Sequence, residues 1–190
     1  MPCRPSLFAL PVLVAGFLAF PALARADVGV EATGLAMVDA GPATALGFRW
    51  TGERGGFLAV EGRTVFQEGW MGRGSVGLDL FGRSETFDLT LGAFLGSHGT
   101  FHEPVVLVSP CVGFEVGIGI GIGPVRGRYR HIQGGSDAGS GMYTFAENEW
   151  RLGFRLPADV TVYGQVMNTL QEHGEDVDRL GVGAGAQVVF

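Results

Sequence analysis

Apolar and polar or small side chains alternate along most of this chain, most regularly over its last twelve positions. Leu180, Val182, Ala184, Ala186, Val188 and Phe190 form one set, and Arg179, Gly181, Gly183, Gly185, Gln187 and Val189, mostly small or polar, alternate with them. A period of two places successive side chains on opposite faces of a strand. From Asp27 onward the same period divides the chain into about ten segments separated by turn-rich stretches. They lie near 28–38, 44–51, 57–67, 74–83, 86–96, 111–122, 125–133, 144–156, 160–170 and 179–190.

The two faces differ consistently. One carries Val28, Val30, Leu46, Phe48, Trp50, Leu58, Val60, Phe66, Val76, Leu78, Leu91, Phe114, Ile118, Ile120, Leu152, Phe154, Val162 and Val166, with no charge among them. The other carries Glu31, Arg49, Glu61, Arg63, Asp79, Arg83, Asp88, Glu115, Arg126, Arg128, Arg130, Glu147, Glu149, Arg151 and Arg155. A charge facing hydrocarbon at mid-membrane costs roughly 2–4 kcal/mol in a barrel, so this segregation points to lipid outside and a polar lumen inside. The predicted fold is all-β, an antiparallel up-and-down transmembrane barrel. Strand number must be even. Ten is expected, and eight is the alternative if 28–38 and 44–51 pair only loosely.

The connections support the same architecture, because short and long ones alternate. Residues 52–55, 83–85, 123–124 and 157–159 make short turns, whereas 39–43, 68–73, 97–110, 134–142 and 171–178 read as longer loops. Short turns on the periplasmic side and longer loops outside are usual for such barrels.

Composition changes the picture in three ways. The 33 glycines are spread through the strands, which weakens a soluble sheet but leaves room for large inward side chains in a narrow barrel. All 13 basic residues are arginine and the formal net charge is −6, so nucleic acid is not an expected partner. Residues 1–26 have a basic start at Arg4, an apolar middle and Ala24-Arg25-Ala26, the pattern of a secretory signal peptide. The organisation expected is a signal peptide over 1–26 and one barrel domain over 27–190. Cys3 leaves with the signal, and Cys111 alone permits no intramolecular disulfide.

With its aromatic last residue on an alternating strand, the C-terminal segment resembles the signal by which bacterial outer-membrane barrels are recognised for assembly. The resemblance implies a small porin-like protein of the Gram-negative cell envelope, located in the outer membrane. Its partners would be outer-membrane lipids, lipopolysaccharide and, through Phe190, the barrel assembly machinery during biogenesis. It leaves oligomeric state open.

Candidate chemistry lies mainly inside. Arg126, Arg128 and Arg130 share a strand face, and Glu147, Glu149, Arg151 and Arg155 share the matching face of the next segment. Together with Glu115, Glu61 and Arg63 they form a lumen charge cluster in which arginine forks can hold carboxylates. The expected role is an ion-paired, largely plugged lumen in a structural or surface-interaction protein. The alternative is a narrow passive pore for small polar or anionic solutes, in which the arginines act as a filter.

One outward residue raises the question of an enzyme. His131, in Tyr129-Arg130-His131-Ile132-Gln133, resembles a local motif of the lipid A 3-O-deacylase family, in which an outward histidine and a serine two residues later work with a glutamate. The resemblance implies a lipid A or phospholipid acyl hydrolase with His131 as its catalytic candidate. Gln133 stands at the serine position and cannot be an acyl nucleophile, while Ser136 and Ser140 fall in the neighbouring Gly-rich stretch. Alternatively His131 is an interfacial residue, with Trp70, Tyr129, Tyr143 and Trp150 in an aromatic girdle. His98, His102 and Glu103 have the residue types of a metal site but no helix to hold them, so neither metal nor cofactor is expected. His173, with Glu172, Glu175, Asp176 and Asp178, reads as a solvated acidic loop.

Overall fold

The computed structural model describes residues 27–38, 40–65, 69–81, 86–100, 109–137, 142–173 and 175–190. Ten antiparallel strands follow one another around a closed barrel: β1 Asp27–Met37, β2 Gly41–Thr51, β3 Gly56–Val65, β4 Gly69–Leu80, β5 Phe87–Thr100, β6 Ser109–Ile122, β7 Val125–Asp137, β8 Met142–Arg155, β9 Val160–His173 and β10 Glu175–Val189. The expectation of ten strands holds and the eight-strand alternative falls, because β1 and β2 pair along their whole length. Closure is between β1 and β10. Val28 donates to the Phe190 carbonyl at 3.1 Å, and Phe190 donates to the Val28 carbonyl at 2.8 Å.

The end that carries Asp27 and Phe190 is called here the terminal end. Its turns are short, and two are built around left-handed glycines, Gly55 (φ 79°) and Gly123 (φ 58°), where a side chain would be strained. A 3-10 turn, Pro157–Asp159, links β8 to β9.

At the far end the strands are longer than side-chain alternation predicts. β4 begins at Gly69, β5 continues to Thr100, β7 reaches Asp137, and β9 and β10 extend to His173 and Glu175. These segments lack a regular apolar face, yet backbone pairing needs none. Arg73, His98, Ser136 and His173 are therefore strand residues, not loop residues. The expectations for Phe66, Arg83, His102, Glu103, Ser140 and the signal peptide lie outside the described residues.

The polarity of the wall is inverted relative to a soluble protein. Leu46 (67% exposed), Val112 (58%), Ile120 (54%) and Leu152 (67%) face outward, whereas Arg63, Arg73, Glu115, Glu147 and Glu149 are buried inside. Inward glycines seat the large lumen side chains. A Cβ at Gly134 would meet Phe145 Cζ at 2.7 Å and Phe94 Cζ at 2.8 Å, and one at Gly92 would meet Phe57 Cζ at 2.9 Å.

The lumen is not polar throughout, which corrects the sequence expectation. Leu35, Met37, Ala40, Ala43 and Met167 form one buried apolar cluster, with Val65 against it, and Phe94, Cys111, Ile132 and Phe145 form another. On β1, β5, β6, β7 and β8 the inward row changes from charged to apolar on going from the terminal end toward the far end. Face assignment by period alone could not reveal this tier where, as at Ala93-Phe94-Leu95, inward and outward residues are both apolar.

Candidate functional site in the lumen

Six strands, β1, β3, β4, β6, β7 and β8, contribute to a belt of ion pairs. Arg63 on β3 donates to Glu147 on β8 at 2.9 Å, and Arg73 on β4 donates to the other oxygen of the same carboxylate at 3.0 Å. β3 and β8 are five strands apart in a barrel of ten, so Glu147 is held from the opposite wall. Glu61 receives Arg73 at 2.6 Å, Arg130 at 2.9 Å and Arg63 at 3.2 Å. Arg130 also donates to Glu115 at 2.6 Å, and Arg151 donates to Glu31 at 2.5 Å and to Glu149. Charges this buried are tolerated because each carboxylate meets a guanidinium with matching geometry.

Toward the terminal end, Arg49 donates to Asp79 at 2.6 Å, and Thr90 donates to the same oxygen at 2.7 Å. Arg49 also lies over the Phe57 ring, 3.9 Å from its centroid. Arg151 covers Tyr163, whose hydroxyl shares a 2.6 Å hydrogen bond with Thr33. Arg155 pairs with Asp159 at 2.5 Å on the exposed rim.

The pairing differs from the expected ladder of neighbours. Arg130 sits opposite Glu149 in register but stays 3.9 Å from it, choosing Glu115 and Glu61 instead. Arg128 sits opposite Arg151. The narrow lumen brings far walls as close as adjacent strands, and long arginine side chains reach across.

On the outer surface His131 faces away from the lumen, with Asn148 directly opposite in register. His131 Nδ1 lies 2.9 Å from Asn148 Oδ1, which also accepts from the Tyr129 hydroxyl at 2.8 Å. An acceptor oxygen there sets Nδ1 as the protonated nitrogen and leaves Nε2 as the basic one. Phe114 and Trp150 flank the group, with centroids 6.3 Å from His131 and 5.5 Å from Tyr129. Among the described residues no serine is placed beside it for acyl transfer. Ser136 is buried and donates to the Pro110 carbonyl at 2.6 Å, and Glu149 is inside the barrel in the belt. Among the described residues no group of histidine, cysteine and carboxylate side chains could hold a metal ion.

No known family profile matches the chain, nor does any curated protein sequence. Among solved structures it is similar to the NanC porin, at a TM-score of 0.51 and 9% identity over 84% of this chain and 98% of that one. The fold is a small closed antiparallel β-barrel of the kind seen in that porin. Weaker likenesses are to the KdgM porin (0.46, 11% identity, covering 85% of this chain and 99% of that one) and Neisserial surface protein A (0.42, 12%, 87% and 97%). Identities this low speak for architecture alone.

Sequence reasoning about this barrel missed Arg73, which with Arg63 joins Glu61 to Glu147. Its outward neighbours are Gly72 and Gly74, so the stretch offers no apolar alternation and reads as a loop. Continuing the inward series back from Asp79 through Gly77 and Ser75 would have found it. Asn148 was missed for the opposite reason: it is a polar residue on a face expected to be apolar.

Proposed function

We propose that this chain is an integral protein of the bacterial outer membrane, formed by residues 27–190 after removal of a 1–26 signal peptide. Its lumen is closed to solutes, and its role is structural or surface-interacting among outer-membrane lipids and lipopolysaccharide. The observation that carries the closed lumen is the contact of Glu147 with Arg63 and Arg73 from the opposite wall, backed toward the far end by the two apolar clusters. A solute would have to break paired buried charges and then displace Phe94, Phe145, Met37 and Met167. The outward apolar face supports the membrane setting, and Phe190 is the residue proposed to engage the assembly machinery.

Refolded protein in planar bilayers tests this directly. The closed barrel gives no stable single-channel steps, and uniform steps would overturn closure. The second reading, a narrow pore, is favoured by a cavity of about 590 Å³ that enters from the terminal end. If steps occur, Arg128→Glu should shift ion preference toward cations.

A further inference from the structure

We propose that the terminal-end vestibule is a binding pocket for a small organic monocarboxylate whose head is held by Arg128. The inference needs neither far-end closure nor a membrane, only the lumen geometry at that end.

Arg128 and Arg151 are direct cross-strand partners, both facing inward. Like charges placed opposite each other on adjacent strands are unfavourable unless something neutralises them. Arg151 is neutralised by Glu31 and Glu149. Arg128 makes no hydrogen bond or ion pair among the described residues, and its Nε is buried without a partner. Arg49 borders the same space, but its charge is taken by Asp79.

Two cavities meet at this point. A chamber of about 50 Å³ lies against the belt, and the vestibule of about 590 Å³ opens at the terminal end. Arg128, Arg151 and Gln187 border both. The chamber has room for a carboxylate head but not for a ring. The carboxylates around it, Glu31, Glu61 and Glu149, are engaged by other arginines, so an incoming anion meets Arg128. Their charge also disfavours a dianion such as phosphate. The Gln187 amide can donate a second hydrogen bond. Beyond the head, Tyr163, Val189 and Gly153 give the vestibule apolar and small surface for a short tail, among charged side chains that include Asp88, Arg126 and Asp159.

The test is saturation-transfer NMR and calorimetry on the refolded full chain in zwitterionic micelles, with butyrate as probe and butyramide, chloride and phosphate for comparison. Butyrate should bind saturably, butyramide should not, and chloride and phosphate should compete weakly. Arg128→Gln should weaken butyrate by roughly tenfold or more, as expected for loss of a charge-assisted hydrogen bond. Arg54→Gln, on the exposed turn between β2 and β3 and outside both cavities, should change it by about threefold or less. Gln187→Glu offers Arg128 an internal carboxylate and should abolish binding even if Arg128→Gln fails to fold. Absence of saturable butyrate binding, wild-type affinity in either Arg128→Gln or Gln187→Glu, or chloride or phosphate binding as tightly as butyrate would each overturn the assignment.

Discussion

Arg63 and Glu147 touch at 2.9 Å although they project from strands on opposite sides of the barrel. Glu147 also receives Arg73, so one carboxylate ties β8 to both β3 and β4.

Glu147→Gln should therefore be among the most damaging isosteric changes in the protein. It leaves Arg63, itself 7% exposed, with Glu61 alone at 3.2 Å. Removing one member of a buried pair costs roughly 3–5 kcal/mol, which should appear as a lower urea midpoint for the refolded barrel. An unchanged midpoint would mean that the belt contributes little to stability.

Gly134→Ala should destabilise by about 1–3 kcal/mol, because its new methyl collides with Phe94 and Phe145 and neither can retreat in a packed lumen. Gly164→Ala is the control. Gly164 faces outward and a Cβ there meets nothing within 4 Å, so its midpoint should stay within about 0.5 kcal/mol of wild type.

Ile118→Arg places a charge on the outward face, where it should cost roughly 2–4 kcal/mol and block insertion into vesicles. Gln187→Glu, on the lumen face, should insert at the wild-type rate. Heat-modifiable migration on gels reads both outcomes, and equal insertion would sink the assignment of faces.

Mass spectrometry of lipid A and phospholipids should find no acyl loss or transfer in membranes that overproduce the protein, and no difference between wild type and His131→Ala. The reason is local: Nδ1 of His131 is held by Asn148, and Ser136 points into the wall of the lumen. An acyl change that requires His131 would make the protein an enzyme and would falsify this view.

The barrel was legible because lipid and lumen impose opposite demands on alternate residues, and an outward row such as Val112 to Ile122 satisfies one of them without exception. Where the strands run beyond that band the constraint lapses, and Ser97 to Thr100 or Gln171 to His173 carry no readable period even though their backbones pair. The inward position of Arg130 and Glu149 was legible for the same reason. Their partners were not, because which guanidinium meets which carboxylate depends on lumen width and not on spacing along the chain.

The belt has a further property that comes from containing arginine and no lysine. A guanidinium keeps its proton throughout the range in which proteins survive, so alkali has no means of discharging the cationic half of the network. Acid can discharge the other half, and each carboxylate that takes up a proton leaves guanidiniums repelling one another across a few ångströms. The lock that Arg63, Arg73 and Arg130 form with Glu147, Glu61 and Glu115 can thus be undone from only one end of the pH scale.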